Sequence, residues 1–316
     1  MKKILVVGDV MLDVYIKGIA ERISPEAPVP IVNVKEQFYK LGGAANVAEH
    51  IANLEIPCLL YGYLGEDTEG KKVKALLQQY HIDDYCNTPN AEFATTTKTR
   101  VVASNQQLLR IDREDILMNH ISGQEDLVKE LLANNDVDII LISDYGKGAC
   151  SEKIIKTLID QQTGSRVLID PKGNNWEKYK GAFLVKPNLK ELSVIAGMKI
   201  PNIDEAIAEN GKRILEKFQF QHLLVTRGSK GMSLISQTEV SHRSIEKVQL
   251  FDVSGAGDTV ISVLAVLLHR GYDLEKAIDA ANEAGRLVVS RPHTYTIKKF
   301  SFALRFCNIL KRGVDI

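Results

Sequence analysis

The feature that most constrains the fold is a repeated alternation between short apolar runs and segments with helical periodicity. The helical segments include residues 43–54 and 67–80. The apolar runs are ILVV (4–7), CLLYGY (58–63), DIILIS (138–143), RVLID (166–170), AFLVK (182–186) and HLLVT (222–226). Strands that are buried on both faces read as continuous apolar runs, and a helix between two such strands makes them parallel. The sequence therefore predicts an α/β fold with a parallel sheet covered by helices on both faces.

Two stretches, residues 14–38 and 92–112, break this alternation. Both are rich in β-branched residues, alternate with a period of two, and contain no helical pattern. Ligands of open α/β sheets bind outside the carboxyl ends of the parallel strands. We therefore expect these stretches to form a small separate sheet that covers the ligand crevice as a lid.

Size and charge narrow the class of protein. The 316 residues are 45% hydrophobic and 25% charged, which is typical of a folded protein, and we expect one domain over residues 1–316. Forty basic and forty acidic side chains give a formal net charge of zero. This balance argues against nucleic acid or an anionic membrane as the partner and favours a small molecule.

The cysteines and the amino terminus indicate a reducing compartment. The four cysteines have no CxxC spacing, which argues against a zinc cluster or a disulfide framework: Cys58, Cys86, Cys150 and Cys307. The first residues lack the apolar core of a signal peptide, and no run reaches the ~20 apolar residues of a membrane span. We expect a soluble, cytoplasmic protein.

The segment SGAGDT (254–259) lies between a probable strand that ends near Val253 and an apolar helix predicted over about 257–270. Glycines at a helix start let backbone N–H groups approach an anion such as a phosphate. Asp258 in this position has two interpretations. It can cap the helix, or it can be the base that takes a proton during phosphoryl transfer. The spacing alone does not decide between them.

Other polar segments also follow predicted strands. In LGGAANVAEHIANL (41–54), a glycine pair opens a helix whose small residues indicate close packing, while Asn46 on its first turn can bond a sugar hydroxyl. GEDTEGKK (65–72) lacks the hydroxyl residue of a phosphate-binding P-loop, so we read it as a turn into a helix capped by Asp67 or Thr68.

Two further segments are expected at the same edge of the sheet. DPKGNNWEKY (170–179) and KPNLKEL (186–192) would bring Asp170, Lys172, Asn188 and Glu191 there, although Asn188 can equally begin a helix. LLVTRGSKGMSLI (223–235) reads as a hairpin, or as an element that brings Thr226, Arg227 and Gly228 to nucleotide phosphates. The histidines show no metal-ligand spacing.

Taken together, these segments resemble the signatures of the ribokinase-like (PfkB-type) carbohydrate kinases. DVSGAGDT resembles the carboxyl-terminal signature, and GGAANVA with GEDTEG the amino-terminal one, over essentially the whole chain. The resemblance implies a three-layer α/β/α sandwich with a mostly parallel central sheet and a small β-sheet lid. It also implies ATP and Mg²⁺ as cofactors.

A narrower resemblance concerns the substrate. RISPEAPVPIV (22–32), NQQLLRID (105–112), SDYGKG (143–148) and DPKG (170–173) are similar to kinases that phosphorylate D-glycero-β-D-manno-heptose 7-phosphate at O1. The implied product is the heptose 1,7-bisphosphate, toward ADP-heptose for lipopolysaccharide or other surface glycans. Some of these kinases are fused to a nucleotidyltransferase domain, and we expect a stand-alone kinase or that kinase half.

The resemblance also implies roles for individual residues. Asp258 would be the catalytic base, with an anion hole from the amides of Gly255, Ala256 and Gly257. The sugar would contact Asp13, Gly42, Gly43 and Asn46. The magnesium and the phosphates would be organised by Asn188 and Glu191, with Glu191 acting indirectly on Mg²⁺. The nucleotide would lie along Thr226, Gly228 and Asn282. The 7-phosphate would be held by Arg110 and Lys172.

The resemblance leaves three expectations open. Relatives can bind a monovalent cation, K⁺, near Asp252 and near a Gly-Thr turn, but this chain has SRPHTYTI (290–297) in place of that turn. Exposed lid edges would pair across a two-fold axis, which predicts a homodimer. The alternatives are a kinase for another sugar phosphate or a nucleoside, and a regulator that binds sugar or nucleotide without catalysis.

Overall fold

The structure is a computed structural model that describes residues 2–104, 106–115, 121, 123–161, 166–246, 248 and 255–290. Its strands, in chain order, are β1 Lys3–Gly8, β2 Val10–Ile23, β3 Pro30–Gly43, β4 Cys58–Tyr61, β5 Asp83–Asp84, β6 Thr96–Ala103, β7 Gln106–Arg113, β8 Val137–Ser143, β9 Arg166–Asp170, β10 Leu184–Val185, β11 His222–Thr226, β12 Met232–Ser236 and β13 Val240–Arg243. Its helices are α1 Ala44–Asn53, α2 Thr68–Gln79, α3 Gln124–Asn134, α4 Glu152–Asp160, α5 Leu189–Ala196, α6 Asp204–Phe218, α7 Ala256–His269 and α8 Leu274–Val289.

The central sheet has nine strands in the order β13-β12-β11-β10-β9-β8-β1-β4-β5. The strands from β11 to β5 are parallel, and β12 and β13 continue the sheet in antiparallel orientation. The predicted helix–strand alternation is therefore confirmed. The antiparallel end arises because a short connection, residues 227–231, joins β11 to β12 through a single 3₁₀ turn and without an α-helix.

Helices cover both faces of the central sheet. Successive residues of β1 show this, since Ile4 packs in one apolar cluster and Leu5 in the other. The first cluster contains buried residues of α1, α2, α7 and α8, and the second contains those of α3, α4, α5 and α6. The three-layer α/β/α sandwich is thus confirmed, and burial on both faces explains why the strands are nearly all apolar.

A second, small sheet has the strand order β3-β2-β6-β7. Its pairs are antiparallel except for β2 with β6, which is parallel. β2 begins at Val10, before the predicted stretch 14–38, because Val10, Met11 and Leu12 are all buried and so hide the period of two. By contrast, every residue of β7 is exposed. The two sheets thus differ sharply in burial.

Three further observations concern the described residues. None of their helices is long and apolar enough to cross a membrane. Cys58, Cys86 and Cys150 are free thiols, while Cys307 lies outside the described residues. The predicted cap of α2 is confirmed, because the Asp67 side chain accepts a hydrogen bond from the Gly70 amide at 2.8 Å.

Candidate active site

The buried helix α7 begins beside two glycines, Gly255 and Gly257. The surroundings of the helix start explain why glycine is present at both positions. Gly255 precedes the helix with φ +77°, a backbone conformation that side chains disfavour. A Cβ at Gly257 would lie 3.3 Å from Lys186 Nζ and 3.7 Å from Asp170 Oδ2. The helix start therefore lies directly against a charged pair, Lys186 and Asp170, whose side chains are joined at 3.0 Å. Glycine permits this close approach.

Asp258 lies in the first turn of α7 and is buried. Its Oδ2 accepts a hydrogen bond from Asn46 Nδ2 at 2.7 Å, and its Oδ1 accepts one from the Tyr145 hydroxyl at 3.0 Å. A capping carboxylate would instead accept backbone N–H groups of the first turn, and Gly255 occupies the cap position. The capping interpretation is therefore wrong for this residue.

The surroundings of Asp258 make it more basic than an ordinary aspartate. Burial, and then the negative charge of Asp170, raise the pKa of Asp258 to about 6. The hydrogen bonds from Asn46 and Tyr145 and the positive charge of Lys186 lower it in part. A carboxylate with a pKa near 6 is ionised at neutral pH and is a better proton acceptor than one at 3.8.

The start of α1 lies opposite Asp258. Gly43 has φ +56°, and a Cβ there would come within 2.3 Å of the Asp9 carbonyl oxygen, so only glycine fits. This turn brings Asn46 to Asp258. Gly42 lies beside Asp13, since a Cβ on Gly42 would be 3.2 Å from Asp13 Cγ. The four residues assigned to the sugar, Asp13, Gly42, Gly43 and Asn46, are therefore neighbours near Asp258.

The small sheet presents charged side chains beside Asp13. Arg100 Nη1 donates to Asp13 Oδ1 at 2.8 Å. Arg110 is directly opposite Arg100 in the pairing of β6 with β7, so the two guanidinium groups lie on the same face of the sheet. Arg110 also pairs with Asp112 at 2.9 Å and is half exposed. Two positive charges directly opposite each other repel, and an anion bound between them would relieve that repulsion.

The loop of residues 144–149 after β8 is anchored by one buried carboxylate. Asp9 accepts hydrogen bonds from the backbone N–H groups of Tyr145, Lys147 and Ala149 at 2.7 to 3.0 Å. Lys147 also pairs with Glu114, which follows β7. Lys98 of β6 places its ammonium 5.2 Å from the centre of the Tyr145 ring. This loop therefore joins the central sheet, the small sheet and Asp258.

A cavity of about 710 Å³ adjoins the start of α7. It is lined by Ala256 and Gly257 and by residues of α5, β11, β12 and α8. The residues assigned to the nucleotide that line it are Asn188, Thr226, Gly228 and Asn282. Its volume suits a nucleotide, and its contact with the helix start would bring a terminal phosphate to the first-turn amides. Arg227 also lines the cavity, but its guanidinium is buried in an ion pair with Asp204.

Asn188 and Glu191 form a capping box at the start of α5. Each side chain accepts the other's backbone N–H, at 2.9 and 3.0 Å. The interpretation of Asn188 as a helix start is therefore correct. Glu191 Oε1 also lies 3.6 Å from Lys172 Nζ. No cluster of three or more potential metal ligands occurs among the described residues.

Sequence reasoning gave no role to several residues that contact Asp258 or its surroundings. They are Lys98, Arg100, Tyr145 and Lys186. Tyr145 lies in SDYGKG and Lys186 begins KPN, so both follow strands of the central sheet, and that position was the available signal. Lys98 and Arg100 gave no such signal, because they lie inside a strand. The residues tied to the K⁺ expectation, Asp252 and 291–297, lie outside the described part of the chain.

Comparison with known proteins identifies the relatives of this chain. The model of the pfkB family carbohydrate kinases matches residues 1–299. The bifunctional protein HldE of Haemophilus influenzae is 42% identical over 297 residues, and that of Chromohalobacter salexigens is 43% identical over 300 residues. Each match covers 93% of this chain but 61% of the relative, so the chain spans less than two thirds of these curated relatives.

Solved structures share the fold at low sequence identity. Phosphofructokinase-2 from Escherichia coli, in complex with potassium, has a TM-score of 0.80 and 19% identity, covering 98% of this chain and 99% of that chain. Ribokinase from Thermotoga maritima has a TM-score of 0.74 and 20% identity, covering 98% of this chain and all of the other. These likenesses establish the ribokinase-like fold.

Proposed function

The chain belongs to the pfkB family of carbohydrate kinases, and we propose that its sugar is D-glycero-β-D-manno-heptose 7-phosphate, phosphorylated at O1. The donor is ATP, as in an ATP-dependent sugar kinase. The product is the heptose 1,7-bisphosphate, used toward ADP-heptose for lipopolysaccharide or other surface glycans in the cytoplasm. The relatives named HldE and the segments that resemble heptose kinases support this substrate.

The observation that carries the proposal is the location of Asp258 between two sets of residues. On one side lie Asn46, Gly42 and Asp13, whose amide and carboxylate groups can bond sugar hydroxyls. On the other side the cavity of about 710 Å³ reaches Ala256 and Gly257. A buried carboxylate with a pKa of about 6 lies where these two sets meet. This is the arrangement that transfer from a nucleotide to a hydroxyl requires.

In the proposed mechanism, Asp258 accepts the proton of the O1 hydroxyl as that oxygen attacks the terminal phosphorus in line. The amides of Gly255, Ala256 and Gly257 donate to the oxygens of the phosphoryl group, where negative charge develops. Mg²⁺ bound with ATP neutralises phosphate charge, and Asn188 and Glu191 help to organise it. The small sheet acts as a lid that excludes water from the site.

The 7-phosphate requires cations at the far end of the sugar. Arg110 is our first candidate, because it lies opposite Arg100 on the face of the small sheet that carries Asp13. Lys172 is the second, since its side chain extends between Gly146 and Glu191. A guanidinium recognises phosphate through two parallel hydrogen bonds, which makes Arg110 the stronger of the two.

A panel of sugars with an ADP-release assay tests the substrate. The panel contains heptose 7-phosphate, fructose phosphates, ribose and adenosine, each with ATP and Mg²⁺ and with or without K⁺. We expect the highest kcat/KM for heptose 7-phosphate. A clear preference for a fructose phosphate or for adenosine would replace this substrate while leaving the kinase class intact.

We also propose that the small sheets of two chains pair in a homodimer. The small sheet exposes large apolar side chains, and its edge strands β3 and β7 have unpaired edges. These side chains are Ile19, Ile23, Val34, Leu108, Leu109 and Ile111. Light scattering at micromolar concentration should give the mass of two chains, and a monomer mass would refute the proposal. Leu109→Lys should weaken the association.

A further inference from the structure

Tyr145 contacts Asp258 but has no part in the mechanism described so far. Its hydroxyl donates to Oδ1, the oxygen of Asp258 that Asn46 does not contact. The two oxygens of the carboxylate thus have different partners. Asn46 adjoins the sugar-binding residues, while Tyr145 comes from the 144–149 loop. This asymmetry fixes the rotation of the carboxylate about its Cβ–Cγ bond.

We propose that Tyr145 is a positioning residue for the phosphoryl transfer, whose hydroxyl holds Oδ1 of Asp258 so that Oδ2 faces the sugar hydroxyl. The inference rests on the proposed role of Asp258 as the base. With Oδ1 held by Tyr145 and one lone pair of Oδ2 used by Asn46, the remaining lone pair of Oδ2 has a fixed direction in which it can accept the proton of the sugar hydroxyl. A hydrogen bond to the charged form also keeps the carboxylate ionised.

The Tyr145 hydroxyl is suited to remain protonated and to donate a hydrogen bond. The charge of Asp258, together with burial, raises the pKa of Tyr145 well above its ordinary value. The hydroxyl therefore keeps its proton across the working pH range and can only donate to the carboxylate. Lys98 lies over the ring at 5.2 Å and places a positive charge beside the phenol, which favours donation. Among the described residues, no carboxylate lies within ion-pair distance of Lys98.

The backbone of Tyr145 is held independently of its hydroxyl. Its N–H donates to Asp9 Oδ2 at 2.7 Å, and the same carboxylate holds the N–H groups of Lys147 and Ala149. Tyr145→Phe removes the hydroxyl while leaving the loop anchor and the contact of the ring with Lys98 in place. The variant is therefore a clean test of the hydrogen bond, with little risk to the fold.

Among the described residues, charged groups from both sheets lie near this hydrogen bond. Asp170 and Lys186 face Asp258 from the central sheet, and Asp13 and Lys98 face Tyr145 from the small sheet. Asp170 and Asp13 disfavour a further negative charge, while Lys186 and Lys98 favour it. None of them changes in Tyr145→Phe, so a shift in the titration of Asp258 reports the lost hydrogen bond.

The first experiment measures kcat/KM against pH with the best sugar of the panel. In the original chain the rate should fall below pH about 6 as Asp258 is protonated. In Tyr145→Phe the acidic limb should move up by about one pH unit, and the plateau of kcat should drop by about tenfold. An unmoved acidic limb would overturn the proposal.

Tyr179→Phe is the matched control. The Tyr179 hydroxyl donates to the buried carboxylate of Asp144 at 2.7 Å, so this variant removes the same type of bond from the residue next to Tyr145. It should lower the melting temperature and leave the acidic limb in place. An equal shift of the acidic limb in both variants would show that any disturbance of the 144–149 loop changes the titration of Asp258. That result would also overturn the proposal.

A second readout needs no substrate. The unfolding free energy is measured from pH 4 to 8 with and without Asp258→Asn, and the pH dependence of the difference gives the pKa of Asp258 in the folded chain. Adding Tyr145→Phe to both chains should raise that pKa. If no sugar of the panel is phosphorylated, the proposed function fails, yet this titration still decides whether Tyr145 controls the carboxylate.

Discussion

The central sheet and the small sheet are stabilised in different ways. In β1 of the central sheet, residues 4–7 are completely buried, with a helical layer against each face. In the small sheet β7 is exposed throughout, and side chains such as Leu109 and Ile111 are largely open to solvent. Apolar burial therefore fixes the shape of the central sheet. The small sheet shares that burial where β2 and β3 meet the first apolar cluster, through residues such as Val10, Leu12 and Leu41. At β6 and β7, polar contacts at a junction near α2 join the small sheet to the rest of the chain.

A single carboxylate contributes much of that junction. Asp67 caps α2 through the Gly70 amide, and it also accepts hydrogen bonds from the backbone N–H and the hydroxyl of Thr95, just before β6. Arg113, at the end of β7, lies 3.4 Å from the same carboxylate. Although burial opposes it, the hydrogen bonds from Thr95 and Gly70 lower the pKa of Asp67. At this end of the small sheet, hydrogen bonds and ion pairs of a few residues therefore contribute to the attachment.

The largest expected effect is on catalysis at the edge of the central sheet. Asp258→Asn should lower kcat by roughly 10²- to 10⁴-fold, because the amide cannot accept the hydroxyl proton. The KM for ATP should change little, since the nucleotide cavity does not depend on that carboxylate. Steady-state kinetics with the best sugar measure both constants. Unchanged turnover would show that Asp258 is not the catalytic base. It would also contradict the proposal that catalysis takes place at the edge of the central sheet.

A matched pair of leucines compares the stability of the two sheets. Leu141, in β8, is 0% exposed, and Leu109, in β7, is 54% exposed. Leu141→Ala should lower the free energy of unfolding by about 2 to 5 kcal/mol, and Leu109→Ala by less than about 0.5 kcal/mol. Urea denaturation at low protein concentration, where chain association contributes least, measures both. Equal losses would contradict the contrast in burial.

The pKa of Asp258 predicts that the site reduces the stability of the central sheet. Its folded pKa of about 6 lies above the ordinary value of 3.8, so the folded chain holds the proton more tightly and loses stability as pH rises through this window. Asp258→Asn should therefore stabilise the chain at pH 7, by up to about 3 kcal/mol, and by little at pH 4. Thermal unfolding at the two pH values checks this. A gain at pH 4 as large as at pH 7 would argue against a raised pKa.

The smallest expected effect concerns substrate binding. It tests whether the small sheet contributes to binding the sugar and not the nucleotide. Asp13→Asn removes the charge that pairs with Arg100, and it replaces one accepting oxygen beside Gly42 with an amide nitrogen that can only donate. The KM for the sugar should rise roughly 10- to 100-fold while the KM for ATP stays within about twofold. Initial rates at varied concentrations of each substrate give both values. A parallel rise in both would mean that the small sheet also contributes to nucleotide binding.

Much of the central sheet could be predicted because burial on both faces leaves a clear sequence pattern. RVLID predicted a strand over 166–170, and β9 has those bounds. AFLVK predicted five residues, yet β10 contains only Leu184 and Val185, which pair with β9 and β11. Lys186 follows the strand with its side chain paired to Asp170, a contact that no periodicity reveals.

The site was less predictable than the fold. A glycine-rich helix start after a strand leaves a local signal, so Gly255, Gly257 and Asp258 could be selected from sequence. The partners of Asp258 could not, because Asn46 and Tyr145 lie 212 and 113 positions away along the chain. The pKa of Asp258 depends on those partners and on Asp170, and hence on contacts that only the folded structure brings together.

The distance in sequence between Asp258 and its partners also bears on how the enzyme becomes active during folding. The carboxylate acquires its orientation only after α1, the loop after β8 and the start of α7 have met, and contacts of such long range form slowly. During synthesis, Asp258 is also the last of the three residues to leave the ribosome. A partly folded chain could bury Trp176 in the other apolar cluster and still lack an oriented base. Recovery of activity on refolding should therefore lag behind recovery of tryptophan fluorescence.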